Sequence, residues 1–464
     1  MKCIKLAICL LVVLFSVCAC STQESILEEA ESTMPETTQT ESMETIDSMD
    51  VLKEDLVKRL ALCITDNNAP DGRTNVNKRF DQYVQTGFLS VRMGPTFETD
   101  ASDRWFLTKK AKEKLKAAEE HGLTIKLIPQ TVSSNPSYLS ADADTHMVNQ
   151  DGVPSNSNCI SYWYDGAEEH IEKALRAQLL AIQEIGCLDD VGGIIVDAGA
   201  AGEGIYPAGW TQGSDKNAIW CYGENAQIDF AERMQKKYGD IATANETWGT
   251  EYESFDAVVV PKPGEAKGKL WEDVLSWYIQ VKREFIEKQI VIFQKVINEL
   301  NCGHIKLIIY MPGTWFTTSE WEYCVAEGTI NDGLMLGADN TGMVELAAKY
   351  GCCLQYTGVE TIEGVHFVRQ FMYDNGYENI PVFGENAAHA GLNAQVESIF
   401  ANIEQTNQIG IDFTDCSFLF DGYGEANDTY RKMELCLENF KKYLETYDYS
   451  VVPEIYHNVK QRGD

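Results

Sequence analysis

Basic side chains are scarce in this 464-residue chain: 38 Lys and Arg stand against 71 Asp and Glu, a formal charge of −33. So acidic a surface repels a phosphate backbone, which excludes a nucleic-acid partner. The 14 cysteines contain no CxxC pair, and the seven histidines show no HxH or HxxxH spacing. No metal site is therefore expected, and nothing calls for a cofactor. No apolar run is long enough to cross a bilayer; the longest, Leu6–Val17, falls short. Aromatic and aliphatic residues are plentiful, which excludes a disordered or disulfide-stapled class for the chain as a whole.

The charge is unevenly spread. Between Ser21 and Asp55 there are 11 Asp or Glu and one Lys, a local charge of −10 with almost no aromatic residue. Such a segment buries too little apolar surface to offset the entropy of ordering, so residues 21–55 read as a flexible, charge-extended tether. Ahead of it, residues 1–20 carry two lysines, the Leu6–Val17 run and then small residues, the shape of an export signal. Its end, Val17-Cys18-Ala19-Cys20, resembles a bacterial lipobox, with Cys20 as the lipid-modified residue. The expectation is an exported bacterial membrane lipoprotein, anchored on the outer side by its acyl chains. An ordinary secretory leader is the alternative. Ten cysteines from Cys63 to Cys436 then remain, either as buried free thiols or as disulfides.

From residue 56 to 464 short β-branched runs alternate with long amphipathic segments. The strand candidates are Leu60–Thr65, Phe88–Met93, Thr124–Pro129, Gly193–Ala198, His304–Met311, Cys353–Thr357, Ile380–Gly384 and Cys416–Phe420. Helices are expected over 166–186, with Ile171, Leu175, Leu179, Ile182 and Ile185 on one face, and over 271–300. Gly333–Gly337 reads as loop or auxiliary strand. Eight strands alternating with helices predict a single α/β (β/α)8 TIM-type barrel, with long βα loops at 130–165, 200–230 and 240–268. A doubly wound sheet is the alternative.

In a barrel of this kind, chemistry sits where strands end. Glu203 follows the fourth strand in a Gly-rich turn beside Tyr206, and Glu385 stands at the tip of the seventh, followed by Asn386. The sixth strand ends at Thr357 with Glu360 just beyond, and the fifth leads to Trp315. Two carboxyls facing each other across a barrel mouth are what glycoside hydrolysis requires: one protonates the leaving oxygen, the other activates water or attacks the sugar carbon. Aromatic side chains supply platforms for the apolar faces of sugar rings. A carbohydrate is the expected substrate.

These segments carry a resemblance. GAAGEGIYP (Gly199–Pro207) resembles the stretch around the general acid of β-amylases, glycoside hydrolase family fourteen, and IWCYG (Ile219–Gly223) the segment that follows it. LQYTGVET (Leu354–Thr361) resembles the inner loop of that family, and VFGENA (Val382–Ala387) the segment holding its general base. The resemblance implies inverting hydrolysis, with Glu203 as acid, Glu385 as base and sugar contacts from Thr357 and Gln130, to which the strand-end positions add Tyr206, Trp315, Glu360 and Asn386 as candidates. FAERMQKKYGDIATANETWGTEYES (Phe230–Ser254) resembles instead a stretch of family forty-two β-galactosidases, which are retaining enzymes on the same architecture. Other positions depart from β-amylase. IPQTVSSNPSYLS replaces its His-Gln-Cys-Gly-Gly loop and keeps only Gln130, while SVRMGPTFE replaces its second-strand Asp-x-Trp-Trp. A retaining β-galactosidase-like enzyme, or a carbohydrate-binding lipoprotein without activity, are the alternatives.

Overall fold

Eight parallel strands close on themselves: β1 (Leu62–Thr65), β2 (Ser90–Met93), β3 (Thr124–Leu127), β4 (Val191–Val196), β5 (Lys306–Met311), β6 (Cys353–Thr357), β7 (Val382–Glu385) and β8 (Gly410–Phe413). Each pairs with the next in sequence, and β8 returns to β1, giving a (β/α)8 barrel and not a doubly wound sheet. The computed structural model describes residues 55–66, 75–99, 105–132, 145–156, 159–196, 199, 203–359, 362–385, 392–414, 416–419, 427–449 and 451–453. All of these belong to the second of two units into which the chain divides, Met1–Ser48 and Met49–Asp464. Cys20 and nearly all of the tether lie outside the described residues.

The strands alternate, and the alternation has an unusual sense. Ser90, Arg92 and Lys126 on β2 and β3 lie in register with Cys63, Thr65 and one another, while Glu385 lies opposite both Thr357 and Asp412. These polar residues form a set of inward positions. Their neighbours Leu62, Ile64, Val91, Ile125 and Ile411 are wholly buried apolar residues of the main hydrophobic core. A period of two with one face polar and buried is possible only where the polar groups satisfy one another.

The helices follow from their apolar stripes. Ala167–Glu184 buries Ile171, Leu175, Leu179 and Ile182 as expected, while Ile185 falls at the C-cap and is only partly buried. The 31-residue helix Lys269–Glu299 buries Trp271, Tyr278, Val281, Phe285, Phe293 and Val296. Helices also interrupt two expected loops: Glu224–Tyr238 enters the 200–230 stretch, and Ile241–Trp248 sits within 240–268 under an Asp240 cap. Phe97–Thr99 and Trp105–Leu107 pair as a small antiparallel hairpin between β2 and the next helix.

Two expectations are corrected. The eighth strand is Gly410–Phe413, whereas Cys416–Leu419 is a 3-10 turn. Gly333–Gly337 gives no strand but overlaps the short helix Asp332–Met335, capped by Asn331. CSFLF is the more apolar run, yet GIDF is the barrel strand because the charge of Asp412 is answered inside. All ten described cysteines are free thiols, nine buried and Cys436 partly so. At Gly410 backbone meets backbone closely, since a Cβ there would sit 2.2 Å from the Ala61 carbonyl oxygen and 2.5 Å from its Cα. We expect Gly410→Ala to cost about 1–3 kcal/mol through overpacking. The check is a lowered urea midpoint with unchanged slope, and an unchanged midpoint would show that the β1–β8 seam can yield.

Candidate active site

Inside the barrel, below its mouth, four buried charges balance: Arg92 and Lys126 against Glu385 and Asp412. Arg92 spans the set. Its Nε donates to Thr65 Oγ1 (2.8 Å), its Nη2 to Glu385 Oε1 (2.8 Å) and Thr414 Oγ1 (2.7 Å), and its Nη1 to the Tyr310 hydroxyl (3.4 Å). Thr414 in turn donates to Glu385 Oε1 (2.6 Å), and Gln355 Nε2 donates to Glu385 Oε2 (3.1 Å). On the far side of Gln355, its Oε1 accepts from Lys126 Nζ (3.0 Å), which also reaches Asp412 Oδ2 (3.4 Å). Asp412 Oδ1 takes the Thr65 hydroxyl (3.0 Å).

Glu385 thus accepts from three donors. Burial pushes its carboxyl above the usual range, and the Arg92 guanidinium works against that rise. Asp412 is held below the usual range, because Arg92 and Lys126 outweigh the cost of its burial.

Glu203 lies on the turn after β4, across from this network and partly open to solvent. Several bonds fix the turn. Ile205 N–H donates to the Glu203 carbonyl (2.7 Å), Gly204 N–H to the Tyr310 carbonyl of β5 (2.8 Å), and the buried Lys282 ammonium to the Gly204 carbonyl. Gly204 itself is close-packed, as a Cβ there would lie 3.1 Å from the Tyr310 oxygen. The surroundings of Glu203 raise its carboxyl to about 8. Desolvation contributes most and the Glu385 charge next, while the Gly313 backbone N–H and Arg92 pull it back.

The remaining expected residues scatter. Tyr206 faces away from the mouth: it is fully buried, stacks on Tyr278 at 3.9 Å between centroids, and donates to the Tyr278 carbonyl (2.8 Å). It is a core residue in this structure and not a sugar contact. Its ring is what lets the turn after β4 pack against the Lys269–Glu299 helix. Gln130 serves the hairpin, its Oε1 accepting from Phe97 N–H (3.1 Å). Thr357 sits beside Glu385 at the tip of β6, its hydroxyl without a hydrogen-bond partner among the described residues. Trp315 is half-buried, with its ring edge beside Gly364. Glu360 and Asn386 lie outside the described residues.

Arg92, Lys126, Asp412 and Thr414 belong to no motif in the sequence, and LQYTGVET does not single out its Gln355, yet a signal exists. SVRM, TIKL and GIDF each place one charge at an inward position of a short apolar strand. A lone buried charge is so costly that three of them in one barrel imply mutual pairing. Asp66, at the tip of β1, shows the opposite case. It is a buried carboxylate wholly engaged by Arg79 (2.6 Å), Lys114 (2.8 Å) and the Tyr83 hydroxyl (2.7 Å), an anchor for the outer helices.

Comparison with known proteins agrees with both resemblances. A β-galactosidase family model matches residues 208–323. Among curated proteins, the thermophilic β-amylase of Thermoanaerobacterium thermosulfurigenes is 28% identical over 159 residues, 32% of this chain and 28% of that protein. The β/α-amylase of Paenibacillus polymyxa is 26% identical over 160 residues, 32% of this chain and 13% of that protein. The match therefore spans less than a third of either relative. Among solved structures, the catalytic domain of a β-amylase from Paenibacillus polymyxa superposes with a TM-score of 0.67 at 18% identity, covering 83% of this chain and 98% of that one. A β-galactosidase from the psychrophilic Marinomonas ef1 gives 0.57 at 13% identity, covering 84% and 60%. By fold this chain is a (β/α)8 barrel shared with both groups, and by sequence its curated relatives are β-amylases.

Proposed function

We propose that this protein is a β-amylase-like glycoside hydrolase that acts on an oligo- or polysaccharide by inversion, with Glu203 as general acid and Glu385 as general base. The observation that carries the reading is the unequal surroundings of the two carboxyls, both raised by burial but only Glu385 held by a ring of side-chain donors. Glu203 is kept protonated to about pH 8, while Glu385 is ringed by donors that favour its ionised form. A carboxyl raised to about 8 facing one whose charge is met by three donors suits an acid and a base. Glu203 delivers its proton to the glycosidic oxygen as the bond breaks. Glu385 takes a proton from the water that attacks the anomeric carbon from the other face. Trp315 and Thr357 line the sugar site beyond the ends of β5 and β6. Lipidation at Cys20 would anchor the chain at the outer face of the membrane.

The match of residues 208–323 to the β-galactosidase model favours a second reading, in which Glu385 attacks the sugar directly and configuration is retained. One experiment separates the two. The full-length protein is incubated with a panel of α- and β-linked oligosaccharides, and the anomer first released is read by NMR. Inversion at the cleaved linkage is expected. Net retention moves the protein to the second reading, and binding of a sugar without turnover removes the hydrolase assignment.

A further inference from the structure

The reaction as proposed uses Glu203 and Glu385 but gives no task to Lys126, a fully buried ammonium on β3. We infer that Lys126 is a positioning residue: by holding the Gln355 amide with its NH2 group toward Glu385, it leaves that carboxylate facing donors and so keeps it a proton acceptor. This rests on the reading of Glu385 as general base.

A side-chain amide can present either end to a neighbour, and its orientation is decided by whatever lies behind it. An ammonium has three donors and no acceptor, so Lys126 Nζ at 3.0 Å fixes Gln355 Oε1 on its own side. Gln355 Nε2 is then necessarily the atom 3.1 Å from Glu385 Oε2. The same logic governs the other carboxylate oxygen. Thr414 could accept or donate, but Arg92 Nη2 donates to its Oγ1 at 2.7 Å, which turns the hydroxyl proton toward Glu385 Oε1 at 2.6 Å. Two ambiguous groups are thus each set by an obligate donor behind them. A proton placed on either Glu385 oxygen would meet an N–H or O–H and break a hydrogen bond in a buried, low-dielectric site.

Lys126 is itself held in place. Its ammonium pairs with Asp412 Oδ2 at 3.4 Å and lies 4.6 Å from the centre of the Phe383 ring. It therefore connects β3 to β6, β7 and β8 across the barrel interior. The groups that face Glu385 from surrounding elements are Arg92 on β2, Tyr310 on β5 through Arg92, Gln355 on β6, Asp412 on β8, Thr414 after it, and Glu203 across the mouth. Among these and Lys126 the only cations are Arg92, which touches Glu385, and Lys126, which acts through Gln355.

The test uses the full-length protein with Lys126→Met, Lys126→Arg and Gln355→Glu. One readout is the acidic limb of the kcat/KM–pH profile on a sugar that the wild type hydrolyses. The other, independent of activity, is the carboxyl ¹³C titration of Glu385 in glutamate-labelled protein, assigned by its loss in Glu385→Gln. Lys126→Met should move both midpoints upward by about one pH unit, tenfold in proton affinity, with KM little changed. Lys126→Arg should restore them. Gln355→Glu keeps side-chain size and the acceptor for Lys126, but sets a carboxylate oxygen against Glu385, and should raise both midpoints further because two adjacent carboxyls then share a proton. Wild-type midpoints in folded Lys126→Met and Gln355→Glu would overturn the inference. Should Lys126→Met fail to fold, Gln355→Glu decides alone. If the wild type hydrolyses no sugar, the hydrolase reading falls while the carbon titration still decides the role of Lys126.

Discussion

Glu203→Gln should lower kcat by about 10²–10⁴-fold, the usual contribution of a positioned acid, and should at the same time stabilise the fold at neutral pH. Both effects have one origin. The Glu203 carboxyl is raised to about 8 by burial and by Glu385, so at neutral pH it holds a proton that an exposed glutamate would have released near pH 4.3. That proton is what the leaving oxygen needs, and an amide has none to give. The loss should be small for an aryl glycoside whose leaving group needs no protonation, and full for a natural sugar linkage. The basic limb of the wild-type profile, near pH 8, should vanish in the variant. The sign of the stability effect follows from linkage. A carboxyl whose folded value lies above its unfolded value binds more protons folded than unfolded, so it costs stability increasingly as pH rises from about 4 to about 8. Gln carries no such cost. The variant should therefore melt above the wild type at pH 7, the gap closing as pH falls toward 4. A variant that melts at or below the wild type across that window would show that Glu203 is not held protonated.

That pair of carboxyls is legible in the amino-acid sequence because each follows a strand and each sits in a short Gly-bounded motif. Strand placement is legible for the same reason along most of the chain: VGGIIV, KLIIYM and CLQYT are apolar enough to stand out. Legibility ends where the barrel interior turns polar. Asp412 makes GIDF look like a loop, and the apolar CSFLF takes on the appearance of the strand. Arg92 and Glu385 are 293 positions apart in sequence, and only closure of the barrel brings them to 2.8 Å. Tyr206 misleads in the other direction. Proximity to Glu203 along the chain suggests a sugar platform, but the Tyr206 side chain, three residues further along the turn, points back into the core, where Tyr278 receives it.

The largest stability effect is expected from Arg92→Met. Removing one partner of a buried ion pair costs about 3–5 kcal/mol, and Arg92 serves two carboxylates at once, Glu385 at 2.8 Å and Asp412 at 3.5 Å. Among the described residues, Lys126 would then be left beside Asp412 and would reach Glu385 only through Gln355. The pH dependence separates this loss from simple loss of packing. In the wild type, Asp412 is held below its ordinary value, so its contribution is present above the unfolded value near 3.9 and fades as pH falls through the folded one. The deficit of Arg92→Met, measured by urea unfolding, should therefore be greatest near pH 7 and shrink as pH falls, first as the already raised Glu385 carboxyl takes up a proton and then as Asp412 does. A packing defect would give the same deficit at every pH. Arg92→Lys should recover only part of the loss, since an ammonium cannot reproduce the guanidinium fork that reaches Thr65, Glu385, Thr414 and Tyr310 together. Combining Arg92→Met with Asp412→Asn removes a carboxylate along with its cation, leaving Lys126 to balance Glu385. Stability should return in large part, well beyond additivity, because the two sites share one network. Activity should not return, because Glu385 still lacks the cation that opposes its protonation. Recovery of both together would make Arg92 a structural counter-ion to Asp412 alone.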